Sequence, residues 1–439
     1  MTKQKKHQLK PSKNQLGVTL IELMVAMAVS SVIMLGISNI YLSTKKSYVV
    51  HDEFSRIQEN GRYSMETLST NIRNAGFFGC ASGQGLGTVT NDLNDSEEVT
   101  WNFETGVMGF EAVGTDIGET RVINPTVISG VAADWTTAAG MTSSGTPIVA
   151  AVDGGVLGNA IAGSDILIMR TTDGTGVRIR KNNGGAQVFV DDTTGGVVAN
   201  SCPQNAALPG LSEDGISGLC EGDILLISNC SQSLVFQATG IAPGGGPGGC
   251  GSKPCFNLVH SGAGGSIDPG NKSPIWPPET QFGPESEIMK VVSKTYFVGI
   301  PAGGGEPSLY VQQDGGVPQQ LVEGIENMQI LYGVDTNGDG APNRYFSADD
   351  VPDVDGDSDS VFDGVVSVKI SLLARTPEAM PGINRTVADY ANLTYNMVSP
   401  ATPITIDPIP VDAASTDRRM RKVFNMTIKI RNKSFNISS

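Results

Sequence analysis

The chain has 439 residues, with 45 acidic and 30 basic side chains and a formal net charge of −15. Five of the lysines and no acid lie in the first 17 residues, so without them −15 becomes −20, a balance that argues against nucleic acid as the main partner. The 54 glycines, with many Asn, Asp, Ser and Thr, point to strands joined by long turns. Three histidines, His7 in the basic leader, His51 and His260, leave little for a Ser-His-Asp triad.

The chain opens on a basic leader, "MTKQKKHQLKPSKNQ", followed by Leu16 and Gly17. From Val18 to Thr44 the one ionisable side chain is Glu22. About 26 helical residues rise ~39 Å, enough for a hydrocarbon core of ~30 Å. The run is longer than a secretory h-region, and no A-x-A site follows it. The leader's lysines favour a cytoplasmic amino end with the body outside. A single span of about 18–44 is expected.

The helix continues past Lys46. Val50, Phe54, Ile57, Gly61, Met65, Leu68 and Ile72 fall in steps of three and four on one face. Asp52, Glu53, Arg56, Glu59, Arg62 and Glu66 form the other face, and Gly76 is the expected stop. One helix from about 19 to 75 would measure ~85 Å. Its first half is apolar all round, and its second half needs a partner along one stripe. Glu22 has two readings. It completes a capping box with Thr19, or it neutralises a neighbouring subunit's amine, because an unpaired carboxylate in lipid costs ~2.5–3.5 kcal/mol or more.

Basic leader, Gly17, apolar helix and Glu22 as the fifth residue after that glycine resemble the class III signal of type IV pilins. The resemblance implies cleavage after Gly17 by a prepilin peptidase, methylation of the new terminus at Val18, and Glu22 as the residue that registers subunits in a fibre. Val18 stands where Phe is usual. The helix-breaking proline of that family is absent, with Gly36 and Ser30–Ser31 nearby as softer positions.

After Cys80 the chain reads as β-structure. Apolar runs fall at "DILIMR" (165–170), "GDILLIS" (222–228), "SLVFQATG" (233–240) and "KTYFVGI" (294–300), and the first two echo each other. In "VVSVKISLLAR" (365–375) Val366, Val368, Ile370 and Leu372 alternate with Ser367, Lys369 and Ser371. "VFNMTIKIR" (423–431) does the same with Phe424, Met426, Ile428 and Ile430. The fold class expected is α+β, a long apolar helix carrying a large β-rich head with long Gly- and Asp-rich loops. The head divides into 77–240, Gly/Pro-rich loops over 241–286, and 287–439.

All six cysteines, Cys80, Cys202, Cys220, Cys230, Cys250 and Cys255, follow the apolar segment. An exported body favours up to three disulfides, and six cysteines allow 15 pairings; Cys250 and Cys255 would hold the Gly/Pro-rich loops. Residues 334–364 carry nine aspartates and one arginine. Asp335, Asn337 and Asp339, followed by Gly340, have the opening spacing of a calcium loop, but Phe346 occupies the place of the bidentate Glu. Asp349 or Asp350 would close that shell, and Asp353, Asp355, Asp357 and Asp359 offer a second Ca²⁺ cluster. The alternative is a solvated acidic loop with Asp-Gly turns. "GNKS" (270–273) lacks the GK adjacency of a phosphate loop, so no enzyme is expected. The basic end, Arg418, Arg419, Arg421, Lys422, Lys429, Arg431 and Lys433, reads as an edge strand whose charges block pairing or meet the acidic body.

"NIRNAGFFGC", "GEPSLY", "LVEGIENMQILYGVDTNGDG", "VVSVKISLLART" and "RRMRKVFNMTIKIRN" resemble the PilW family of minor pilins, over roughly 17–80, 290–375 and 417–432. The resemblance does not extend to residues 81–285, which are longer than a simple pilin head. The resemblance implies a low-abundance subunit that primes type IV pilus assembly near the tip. Its implied partners are other minor pilins, the major pilin, the inner-membrane assembly platform and a tip adhesin. It also implies residence in the inner membrane, body periplasmic, before assembly and in the extracellular fimbrium after it. A pseudopilin of type II secretion and a tip-displayed adhesive module are the alternatives.

Overall fold

A single helix, α1 (Leu20–Asn74), runs for 55 residues without a break, about 82 Å at the usual rise. Thr19 is its N-cap, and Gly76, at φ +70°, turns the chain just past its end. The Gly76 N–H donates to the carbonyl of Arg170 at 2.9 Å, so the stop is also a docking point. The computed structural model describes residues 17–79, 89–96, 98–123, 134–136, 159–182, 185–202, 212, 214–229, 231–243, 250, 254–262, 267–273, 275–276, 282–301, 303–354, 361–378, 395–397, 404–408 and 419–432.

The described strands are β1 (Val89–Asn91), β2 (Val107–Ala112), β3 (Thr120–Ile123), β4 (Trp135–Thr136), β5 (Ile166–Asn182), β6 (Gln187–Asp191) and β7 (Val197–Val198). Next come β8 (Gly215–Ile216), β9 (Ile224–Ser228), β10 (Ser233–Gln237), β11 (Gly240–Pro243), β12 (Cys255–Val259), β13 (Glu287–Gly299) and β14 (Ser308–Gln313). The last are β15 (Gln319–Glu323), β16 (Ile325–Val334), β17 (Arg344–Phe346), β18 (Val365–Arg375), β19 (Tyr395–Met397), β20 (Ile404–Pro408) and β21 (Arg421–Lys429). The chain is therefore α+β, as its pattern predicts.

Two long antiparallel strands, β5 and β13, organise the head. Each lends its two halves to different neighbours. On β13, Glu287–Lys290 pairs with β9 and Lys294–Gly299 with β14. On β5, Ile166–Met169 pairs with β2, and Ile179, Lys181 and Asn182 with β6. The branched sheet thus has one arm of β2, β4, β14 and β15, and another of β1, β10, β9, β6, β12 and β11. The echoing runs 165–170 and 222–228 become β5 and β9, which flank β13 on opposite sides.

The first arm packs with α1 and a four-stranded sheet, β17-β16-β18-β21, around one core that includes Leu68, Ile72, Phe110, Phe297, Tyr332 and Ile370. The second arm has its own core, with Val188, Phe236, Phe256, Trp276, Phe282 and Ile288. Residues 241–286, read as long loops, supply β12 and the core residues Trp276 and Phe282. β12 is an inner strand, between β6 and β11.

β18 alternates as predicted, but its second face is not open. Ser367 and Ser371 are 3% and 0% exposed. β19 packs on β18 and β21, and Met397 joins Leu331 and Leu373 in a small cluster that covers that side.

Candidate assembly interface

The amino end of α1 stands free of the head. Gly17 has no atom within 4 Å of where a β-carbon would sit, and Val18 is 71% exposed. That suits a peptide bond open to a protease. Glu22 folds back on Thr19: its Oε2 accepts from the Thr19 N–H and from Thr19 Oγ1, both at 2.9 Å. The Glu22 N–H in turn donates to Thr19 Oγ1 at 3.4 Å, completing the capping box. Among the described residues Glu22 has no ion-pair partner, and the apolar half of the helix around it is exposed throughout. By length and composition α1 qualifies to cross a membrane. Ser30 and Ser31 bond the carbonyls of Ala26 and Met27 one turn back, which hides their hydroxyls from an apolar surrounding. The helix stays α-helical through Gly36.

The second half of α1 is the seat of the head. Ile57, Gly61, Met65, Leu68 and Ile72 are buried as the periodicity predicts. Three further residues are buried: Glu53, Ser64 and Ser69. Glu53 was expected to face outward but is 4% exposed, with Arg56 3.7 Å away. Ser64 donates its hydroxyl to the Asn60 carbonyl at 2.8 Å, so it enters the interface without an unmet bond. Phe54 is 37% exposed and sits beneath Lys422, whose Nζ lies 5.6 Å from the ring centroid. Gly61 meets the ring of Phe424 on β21. Asn60 Nδ2 donates to the Glu323 carbonyl at 3.0 Å, and Thr171 Oγ1 to the Asn74 carbonyl at 2.8 Å. At the far end, the Arg431 N–H donates to the Arg73 carbonyl at 3.3 Å.

Beside this seat lies a buried charge network. Glu326 is 0% exposed. Its Oε1 accepts from Arg375 Nη1 at 3.1 Å and Arg421 Nη2 at 2.8 Å, and its Oε2 from Arg421 Nε at 2.5 Å. Glu306 receives Arg375 Nη2 at 2.9 Å and Arg419 Nη2 at 2.5 Å. Lys429 Nζ donates to the Gly340 carbonyl at 2.9 Å. Arg419, Arg421, Lys422 and Lys429 thus have side-chain partners on or beside the edge strand β21, and Arg431 is held through its main chain; Arg418 and Lys433 lie outside the described residues. Glu306 and Glu326 were not singled out from sequence, though both sit inside the stretches "GEPSLY" and "GIENMQI".

In the aspartate-rich loop, Asp335 turns inward. Its Oδ1 accepts the N–H groups of Asn337 at 3.1 Å and Gly338 at 2.7 Å, and its Oδ2 that of Gly340 at 2.7 Å. Burial works against the charge, but the N–H groups of Gly340, Gly338, Asn337 and Asp339 outweigh it and hold the carboxyl below its ordinary range. Asn337 Nδ2 donates to Asp339 Oδ2 at 3.2 Å, so the three residues are together. Asp349 is elsewhere, accepting from Thr136 Oγ1 at 3.0 Å. Asp353 is exposed; Asp355, Asp357 and Asp359 lie outside the described residues. Among the described residues no three His, Cys, Asp or Glu side chains converge as a metal centre.

Two disulfides are described. Cys202–Cys220 closes a loop of 18 residues' separation, and Cys250–Cys255 ties residue 250 to the first residue of β12. Cys80 and Cys230 lie outside the described residues.

Comparison with known proteins finds two family matches. Residues 295–432 match the model for type IV pilus-assembly protein W, PilW. Residues 12–38 match the prokaryotic N-terminal methylation motif. No curated protein and no solved structure matches the chain. The first match begins inside β13, where that strand leaves the second arm and pairs with β14. It covers β14 to β18 and β21, the strands that form the seat and its sheet.

Proposed function

We propose that this chain, a PilW-family protein bearing the N-terminal methylation motif, is a minor pilin that primes type IV pilus assembly and sits at or near the tip. One observation carries the reading. The helix under the methylation motif is bare and apolar for its first half, while its second half is seated in the PilW-matched sheet. The bare half serves first as a membrane span and then as the surface that bundles with other minor pilins and the major pilin. Prepilin peptidase would cut between Gly17 and Val18. Glu22, held near the new terminus by its cap, would receive a neighbour's amine when helices pack, because a carboxylate in an apolar bundle requires a positive partner.

The head would lie in the periplasm before assembly and outside the cell in the fimbrium afterwards. Contacts with the inner-membrane assembly platform and a tip adhesin belong to the same reading. Calcium is proposed as a ligand of Asp335, Asn337 and Asp339, which lie together in the loop. Deleting the gene and scoring surface pili and secreted proteins separately tests the proposal. Loss of pili with normal secretion is expected. Loss of secretion with normal piliation would make the chain a pseudopilin instead.

A further inference from the structure

A second group of acids lies far from the amino terminus, where the branched sheet meets the four-stranded sheet. Asp165, just before β5, is 1% exposed. Its Oδ1 accepts the N–H of Ala112 on β2 at 3.1 Å, and its Oδ2 that of Ile330 on β16 at 2.7 Å. One carboxyl group therefore joins the two sheets. Neighbouring bonds reinforce the joint: the Asp165 N–H donates to the Met328 carbonyl at 2.9 Å, and the Met328 N–H to Ser164 Oγ at 3.0 Å. Glu111, also 1% exposed, accepts Thr115 Oγ1 at 2.9 Å and the Ala348 N–H at 3.4 Å.

No element around this pair supplies a positive charge among the described contacts. β2 brings Glu111, and the turn after it brings Asp116, with Glu119 acting on Asp116. β4 brings Trp135 and Thr136, with Asp134 just before it, and the segment after β17 brings Asp349. β16 brings Tyr332, fully buried, whose hydroxyl has no hydrogen-bond partner. That hydroxyl lies 1.8 Å from where a β-carbon on Gly109 would be, two residues before Glu111 on the same face of β2. The segments 124–133 and 137–158, which flank β4, contain no Lys, Arg or His. None of Glu111, Asp116, Asp165 and Asp349 has an ion-pair partner among the described residues.

Uncompensated buried carboxylates side by side are not tolerated in a folded core. They must take up a cation or protons. Among the described residues no three acidic side chains converge as a metal centre, which favours protons. We propose that Glu111 and Asp165, with Asp116 at the rim, form a proton-held lock between the two sheets of the head, closed when protonated and loosened as the pH rises.

The electrostatics agree with the geometry. Burial, and then the adjacent Asp165, push Glu111 well above the carboxylate range. Burial pushes Asp165 up to about 8, against the two backbone N–H groups that favour its charged form. A folded-state value above the unfolded one, ~3.9 for Asp, means that stabilisation by the proton is full below about pH 4. It is lost progressively as the pH climbs towards about 8. The lock is independent of the pilin reading, since it concerns the head alone.

The test is amide hydrogen exchange of the full chain in detergent, from pH 5.5 to 8.5, corrected for intrinsic exchange. The amides of Ala112 and Ile330 report the joint. Their protection should fall by at least about tenfold across this range, since one titrating group changes an equilibrium by up to tenfold per pH unit. Amides of β12 in the second arm should change less. Glu111→Gln and Asp165→Asn should flatten the fall. If Asp165→Asn does not fold, Asp116→Asn at the half-buried rim makes the same comparison. Flat wild-type protection, or an equal fall in wild type and variants, overturns the proposal. Restoration of protection at pH 8 by millimolar Ca²⁺ overturns it in favour of a divalent-cation site.

Discussion

Gly61 on the helix lies against the ring of Phe424 on the last strand, and a β-carbon at position 61 would come within 2.3 Å of Phe424 Cε2. This contact lets the helix approach β21 closely enough to seat the head. It sets two effects of opposite sign against each other. In an open helix, Gly→Ala stabilises by ~0.8–1 kcal/mol. Here the clash costs about 1–3 kcal/mol, so Gly61→Ala should lower stability. Phe424→Ala in the same chain should relieve most of that loss, a coupling between neighbours. Denaturant titration of the four chains of this cycle measures it. A more stable Gly61→Ala chain would mean the helix is not seated this way.

Glu326 makes the second prediction. It is the shared acceptor of Arg375 and Arg421, and all three are buried. Glu326→Gln keeps the shape and removes the charge, leaving the buried Arg421 guanidinium without its anion and Arg375 with Glu306 alone. Removing one partner of a buried pair costs ~3–5 kcal/mol. Chemical unfolding should show a loss of that order, larger than for Glu287→Gln, whose pair with Arg178 is exposed at the surface. Equal, small losses would contradict a structural role for the network.

The aspartate loop gives a prediction in pH and in calcium. Asp335 has its carboxyl held below the ordinary range by backbone N–H groups that outweigh the cost of burial. A depressed value contributes stability above the unfolded pKa of ~3.9 that is lost as the pH falls below it. Asp335→Ala should therefore lower the melting temperature at pH 7 and lose that effect towards pH 3. If calcium binds there, adding it should raise the melting temperature of the wild type. Asp335→Ala with Asp339→Ala should abolish the rise. A rise that persists in the double variant would move the ion elsewhere.

The helix was the most legible part of the sequence. Thr19 and Glu22 mark its cap, a stripe from Ile57 to Ile72 marks its seat, and Gly76 marks its stop, all local signals. The buried Ser64 and Ser69 were invisible because small polar residues read as surface until a partner strand is known. The strand runs were also legible, but their neighbours were not. Ser367 and Ser371 look like an outer face only until Tyr345 on β17, Asn425 on β21 and the Met397 cluster close over that side. The spacing of Asp335, Asn337 and Asp339 is visible in the sequence, and the fold keeps the three together. The acid pair Glu111–Asp165 has no spacing to find, since the sheet brings it together from different strands. Glu326 and its arginines lie 49 and 95 residues apart, and only the fold joins them.

Glu22 yields a prediction about assembly. Its capping bonds to Thr19 are local, and losing a cap costs about 1 kcal/mol. That is small beside the burial of a whole apolar span. Glu22→Ala should leave membrane insertion and cleavage intact and sharply reduce incorporation into pili. Normal incorporation would reduce Glu22 to a helix cap.

The most direct measurement is mass spectrometry of this chain in sheared, purified pili, reading its amino-terminal residue and mass. A processed pilus subunit would begin at Val18 and carry one methyl group on its amine. A pilus fraction without the chain, or one in which it still carries residues 1–17, would contradict the proposal that it is a processed pilus subunit.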